Sequence, residues 1–260
     1  MRLANGRRLR REFYRGFRLP SARIAFQLHS LLGRIGLGHD TLAPLRRLVR
    51  GRHESSLGLF DLRPGTIDAW ILHPGAEEET HDWIERTFHG DGALFDVGAF
   101  IGTFSLRHRR RFTHVFAVEA SSRNFAVLSR QVELNSASTD ITAIHAAATD
   151  LDGELSLFLN HDDTHSLLGS GPSEKVRAAR LDDLWEAARS PCVALVKIDV
   201  EGAEPNVIAG AGKLLASGCH VVAEANDSAA LDHLTQSLAA VGFIRRAVLD
   251  GRNYVFSSGT

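Results

Sequence analysis

Cysteine is scarce in this chain, with two in 260 residues, Cys192 and Cys219. Both lie in apolar stretches and neither belongs to a C-x-x-C pair. That excludes a disulfide scaffold and a zinc framework, and predicts reduced core thiols in a cytoplasmic protein. Long hydrophobic runs are missing too. The segment IAFQLHSLLGRIGL is interrupted by Gln27, His29 and Arg34, so it falls short of the roughly 20 apolar residues of a membrane span and does not resemble a signal core. There is no internal repeat and no low-complexity tract. What the chain has is 44% apolar residues, enough for one large or two small domains with a proper core.

The net charge of −1 hides an asymmetry. Residues 1–52 hold 13 arginines against Glu12 and Asp40, and the remainder holds 17 basic and 29 acidic residues. The chain therefore divides into a basic, partly helical arm over 1–56 and an acidic body over 57–260. Within the arm Ile24, Leu28, Leu31, Leu32 and Ile35 share one helical face. The simplest expectation is a helix docked on the body by that face and by charge. The alternatives are a peripheral contact with an anionic membrane surface or with a partner protein. Arginine spread without aromatic interleaving does not make a nucleic-acid site, so no nucleic-acid partner is expected.

Beyond residue 57 the texture changes. LGLFDLRPGTIDAWIL reads as two short β-rich runs around Pro64-Gly65, and EEETHDWIERTF as a helix with acidic residues in its first turn. Strand-like runs then fall at 93–97, 114–119, 141–146, 193–199 and 220–224, with helical patterns at 122–135, 203–217 and 227–241. FIRRAVL and NYVFSS close the chain as a hairpin about Asp250-Gly251. The alternation predicts an α/β fold: a mainly parallel sheet covered on both faces, with an antiparallel strand from the hairpin.

In such a sheet ligands bind beyond the carboxyl ends of the strands, where strand order reverses. The first strand runs into ALFDVGAFIGTFSL, which ends on Asp96 and then places Gly98 and Gly102 four residues apart. The second ends in FAVEAS at Glu119, 17 residues after Gly102. A glycine loop lets a ligand press on the backbone, and an acid at that distance reaches the hydroxyls of a ribose held over it. The loop lacks the middle glycine that admits a pyrophosphate, with Phe100 in that region, and no lysine follows as in a phosphate-binding P-loop. It fits a nucleoside with a cationic amino group and no phosphate, and S-adenosylmethionine is such a ligand.

FDVGAFIGTFSL, VFAVEASSRNFAVLSRQVELN, AAATDLDGELSLFL, ARLDDLW and LVKIDVEGAEPNVIAGAGKLL occur in the order and spacing of FkbM-type S-adenosylmethionine-dependent methyltransferases, which the chain resembles over roughly residues 77–224. The resemblance implies a class I methyltransferase (Rossmann-like) sheet of seven strands. It also implies O-methylation of a hydroxyl on a sugar, polyketide or other secondary metabolite. By motif, Asp96, Gly98, Ala99 and Gly102 correspond to the cofactor loop, Glu119 with Ala120 to the ribose acid, and Thr149 with Asp150 to the adenine side. Two departures stand out. Phe100 replaces a common asparagine, and Ala120 follows Glu119 where proline is common.

Catalysis is expected at the strand beside the glycine loop. Asp199 would lie at the cofactor's methyl end with Glu201 behind it, although the same two acids could simply cap the helix starting near Ala203. Lys197 points to the same side, deeper in the strand, as a buried ion pair or a catalytic amine. The polar segment FLNHDDTHSLLG offers His161, His165 and Ser166, with His165 the rival base. Asp199, Glu224 and Asn226 could converge to hold Mg²⁺, but metal-independent transfer is the preferred reading. The expected partner is a small-molecule or glycan hydroxyl acceptor. The competing reading is a non-catalytic methyltransferase-like protein that binds cofactor or partner.

Overall fold

The computed structural model describes residues 2–34, 39–159, 167 and 170–259, which fall into two compact units. One is Met1–Ala76 with Glu133–Asn135, the other Glu77–Val132 with Ser136–Thr260. No helix among the described residues is long and apolar enough to cross a membrane.

The first unit holds α1 (Arg2–Gly16), α2 (Pro20–Arg34), α3 (His39–Leu48), a hairpin of β1 (Gly51–Ser55) and β2 (Gly58–Leu62), and the short α4 (Asp68–Ile71). Residue 56, expected to end the arm, sits in the turn of this hairpin. Only the first run of LGLFDLRPGTIDAWIL is a strand. The second is helical, because Arg63 pairs bidentately with Asp68 (2.8 and 3.0 Å) and winds the chain around Pro64-Gly65. The aromatics among the arginines turn inward. Phe13, Phe17 and Phe26 pack on His53, Trp70 and His73, with ring centroids 4.8–6.1 Å apart. This reverses the face expected of α2. Ala22, Ala25, Phe26 and His29 are buried, while Ile24, Leu28 and Leu31 face solvent. Aromatic packing, worth more per side chain than aliphatic burial, decides which face turns in. Ile35 lies outside the described residues.

The second unit follows the alternation. In chain order it contains α5 (Glu78–Thr87), β3 (Ala93–Val97), α6 (Thr103–His108), β4 (Val115–Glu119), α7 (Ser122–Leu134) and β5 (Ile141–His145). Then come β6 (Ala147–Thr149), β7 (Gly153–Phe158), β8 (Ser173–Arg180), α8 (Leu181–Ala187) and β9 (Val193–Ile198). It closes with α9 (Glu204–Ala209), α10 (Gly212–Ala216), β10 (His220–Glu224), α11 (Ser228–Ala240), β11 (Phe243–Leu249) and β12 (Asn253–Ser258). The main sheet has seven strands in the order β11-β12-β10-β9-β3-β4-β5, and only β12 runs antiparallel to its neighbours. Every residue of β3 is buried, as expected of a strand covered on both faces. Chain order reverses between β3 and β9, which sets the binding crevice at their carboxyl ends.

Two features depart from expectation. A second sheet, β6-β8-β7, is inserted between β5 and β9. β6 is buried but only three residues long, and β7 and β8 are half exposed, so no run of apolar residues marks them. The helix expected over 203–217 breaks in two, because Asp182 donates its N–H to Gly210 O while its carboxylate accepts the Lys213 and Leu214 N–H groups that open α10. The closing hairpin is as expected, with Asp250 and Gly251 both at positive φ, 52° and 74°. Cys219 is buried and its thiol is pushed up to about 12 by burial, whereas Cys192 is exposed instead of lying in the core.

Candidate active site

The site grows from the register of β3 on β9. Asp96 lies opposite Lys197, and the Asp199 N–H bonds Val97 O at 2.9 Å, so the chain beyond β9 is pinned beside the glycine loop. The loop turns sharply back over β4, with Gly98 and Ala99 both donating to Val118 O at 2.9 and 3.0 Å. Gly98 has φ 83°, and a Cβ there would stand 1.8 Å from Asp199 O. Gly102 has φ 82°, and a Cβ would meet Leu128 Cδ1 at 2.5 Å. Both glycines are thus required by the protein's own packing as well as by the turn. Phe100 is also left-handed, at φ 51°, a conformation that asparagine tolerates far better than an aromatic residue, which gives a physical reason for asparagine there.

Glu119 ends β4 and reaches back over the loop. Its carboxylate accepts the Phe100 N–H and the Ser121 N–H, each at 2.8 Å. Burial pushes it up to about 7, against the lowering effect of those N–H donors and of Asn124. Asp96 is fully buried. Ser105 Oγ donates to its Oδ2 at 2.6 Å, while Oδ1 has no hydrogen-bond partner among the described residues. Burial raises it from the usual carboxylate range, with Lys197 and Ser105 opposing.

Four ionisable groups meet at the ends of β9 and β10. Lys197 Nζ stands 2.8 Å from Asp199 Oδ2 and 5.1 Å from the centre of the Phe104 ring. Burial would lower the lysine, but the carboxylates of Asp199, Asp96 and Glu77 overcome it and favour the protonated amine, in keeping with a buried ion pair. Burial disfavours ionised Asp199, yet Lys197 beside it keeps it below its ordinary range. Glu224 is pushed up to about 8 by burial and by the charge of Asp199. Of these two acids Asp199 is therefore the one that ionises more readily and Glu224 the one that more readily keeps a proton, with Arg252 opposing. The Asp199 side chain is 27% exposed and Lys197 5%, so the aspartate is the member open to a substrate.

The fourth group is one that sequence reasoning missed. Glu77 precedes α5 in a left-handed turn (φ 48°) and receives Asn253 Nδ2 at 3.2 Å. Its carboxylate, with those of Asp199 and Glu224, forms a set of oxygens lying within 4.8 Å of one another. Nothing in EEETHDW distinguishes Glu77 from the acids that complement a helix dipole, and only folding brings it 122 positions along to Asp199. Such a triad could accept a divalent cation. Here Lys197 sits on Asp199, and Arg252 Nη1 lies 3.3 Å from Glu224, so the chain supplies its own positive charge.

Other expected residues lie elsewhere. Glu201 is in an exposed left-handed turn (φ 55°). Neither it nor Asp199 caps α9, which begins after Ala203 with no side-chain cap, while Glu204 accepts the Val200 and Gly202 N–H groups of the preceding turn. Asn226 is exposed. Thr149 ends β6 in the small sheet, and Asp150 accepts Asn206 Nδ2 at 3.2 Å and Thr149 Oγ1 at 3.0 Å, facing α9. Ala120 packs by Ala147, at the root of the same sheet. His161, His165 and Ser166 lie outside the described residues.

The Methyltransferase FkbM domain matches residues 96–245. Among proteins of curated function, none matches the chain. Among solved structures, a precorrin-6y C5,15-methyltransferase from Geobacter metallireducens is similar at 15% identity and TM-score 0.47, over 70% of this chain and 85% of that one. An FkbM methyltransferase from Methylobacillus flagellatus is similar at 16% identity and TM-score 0.45, over 74% of this chain but only 53% of that one. Fibrillarin from Aeropyrum pernix, in complex with S-adenosyl-L-methionine, is similar at 14% identity and TM-score 0.42, over 65% of this chain and 67% of that one. Such distant likenesses bring no acceptor with them. The residues at the crevice fit that cofactor: Asp96 Oδ1 is a buried acceptor awaiting a donor, and Glu119, already accepting from Phe100, Ser121 and Asn124, keeps a lone-pair site for a hydroxyl. The seven-stranded order and the domain match over more than half of the chain agree: it belongs to the FkbM methyltransferase family, an S-adenosyl-L-methionine-dependent family of class I fold.

Proposed function

We propose that this methyltransferase acts on oxygen, methylating a hydroxyl of a small-molecule or glycan acceptor. The observation that carries this reading is the Lys197–Asp199 pair at 2.8 Å, which leaves an ionised, partly exposed carboxylate next to the glycine loop. Bound S-adenosyl-L-methionine supplies an electrophilic methyl group. A hydroxyl becomes strongly acidic only as its oxygen forms the new bond, so a carboxylate held below its usual range is base enough to take the proton. Asp199 orients the acceptor O–H and receives that proton. Lys197 fixes the Asp199 rotamer and its charge, and Glu224 shares a hydrogen bond with it. Glu119 and Asp96 hold the cofactor's nucleoside and amino ends.

With Lys197 and Arg252 balancing the acids, transfer needs no added cation. The reducing setting that the two free cysteines suit supports a cytoplasmic location. The test is methyl transfer from labelled S-adenosyl-L-methionine to a panel of hydroxylated sugars and polyketides, with and without EDTA. Asp199→Asn is expected to keep cofactor affinity and lose transfer, while EDTA leaves the wild type active. Loss of activity in EDTA restored by Mg²⁺ would place a metal on the Glu77, Asp199 and Glu224 carboxylates.

A further inference from the structure

The first unit exposes an apolar stripe. Ile24, Leu28 and Leu31 recur at i, i+4 and i+7 on α2 and are 56%, 43% and 58% exposed. They lie opposite the face that α2 buries through Ala22, Ala25, Phe26 and His29. Leu19, just before the helix, and Leu48, at the end of α3, are exposed as well. Arg11, Arg15, Arg23, Arg47 and Arg50 of the same unit are exposed, and residues 1–52 carry 13 arginines against two acids.

We propose that α2 lies in the surface of an anionic lipid bilayer, with Ile24, Leu28 and Leu31 among the acyl chains and exposed arginines of the same unit on the headgroup phosphates. An apolar helix face with a cationic surround is the pattern of an interfacial helix, in which partial burial and electrostatic attraction add. A lipid surface satisfies both features. A second copy of the chain would satisfy only the first, because it would bring its own arginine excess against this one. Three aliphatic side chains also offer only a fraction of the roughly 800 Å² per side that a stable protein interface buries.

The experiment is flotation of the full chain with vesicles of phosphatidylcholine containing phosphatidylglycerol, and with vesicles of phosphatidylcholine alone. Binding is expected to the anionic vesicles only, and to weaken as salt is added. The Ile24→Asp/Leu31→Asp variant should bind at least about tenfold more weakly, and so should Arg11→Glu/Arg15→Glu, since each removes one of the two contributions. Helical circular dichroism and S-adenosyl-L-methionine affinity should be unchanged in both, because these side chains are exposed and lie outside the cofactor site. No binding to anionic vesicles, or undiminished binding by Ile24→Asp/Leu31→Asp, overturns the proposal. So does a wild-type dimer that this variant dissociates, which would identify the stripe as a self-association face.

Discussion

Glu119 carries the most testable chemistry of any single residue. Burial pushes its carboxyl up to about 7 in the free protein, and the role proposed for it, accepting a hydroxyl of the cofactor, calls for the ionised form. Below that pH, binding has to expel a proton first. Affinity for S-adenosyl-L-methionine should therefore fall by about tenfold per pH unit below about 7 and level off above it. Isothermal titration calorimetry across this range measures the slope. Glu119→Gln should bind more weakly at neutral pH and show no such slope. An equal slope in the variant would assign the proton to another group. The neighbouring glycines carry a different lesson. A side chain at Gly98 would strike Asp199 O before it reached any ligand, so substitution there disrupts the β3–β9 junction and does not simply obstruct a pocket.

At the scale of elements, the site depends on how α5 is anchored. The Asp250 carboxylate, in the tip of the β11–β12 hairpin, accepts the Glu79 and Thr80 N–H groups and the Thr80 hydroxyl at 2.7–3.0 Å. It thereby caps the helix from outside and fixes the turn that presents Glu77. Asp250→Ala should cost about 1 kcal/mol of stability, as loss of a helix cap does. It should also reduce methyl transfer more than cofactor affinity, because Glu77 belongs to the carboxylate set and not to the nucleoside end. Chemical denaturation and steady-state kinetics separate the two effects.

The packing of α5 on α6 has its own pH signature. His81 Nδ1 and His108 Nε2 face each other at 2.8 Å in a buried site. Burial, then Arg107 and Arg111, push His108 down to about 3, and burial with Arg107 lowers His81 as well. Both rings are neutral in the fold but titrate near their ordinary value once unfolded. The unfolded state thus binds more protons below about 6.5, and this pair's contribution to stability is lost as pH falls from there toward 3. Glu119 and Glu224 act in the opposite direction, because their folded values are raised. The measurement is therefore a difference: wild type should lose stability relative to His108→Gln between pH 6.5 and 4.5. A constant difference across that window would mean the pair does not titrate on unfolding.

For the molecule as a whole, every residue assigned to cofactor or chemistry lies in the second unit. Removing residues 1–76 should leave S-adenosyl-L-methionine affinity within about threefold of the full chain. A folded shortened protein that no longer binds would show that the first unit completes the site.

The sequence alone determined the parallel sheet and the placing of the glycine loop and Glu119 at the ends of its strands. These depend on local spacing, since a buried strand reads as a continuous apolar run and its last residue names the crevice. Asp199 was legible for the same reason, at the end of a strand adjacent to the loop. The tertiary structure alone decided three matters. It turned the aromatic face of α2 inward and left its leucines outside, because the ring cluster that chose the face draws on residues from Phe13 to His73. It put Glu77 beside Asp199 and Glu224, a meeting that depends on a cap supplied by Asp250. And it pushed Asp199 and Glu224 in opposite directions beside Lys197, because ionisation in a buried cluster follows the distances among its members, and no spacing in the sequence encodes those distances.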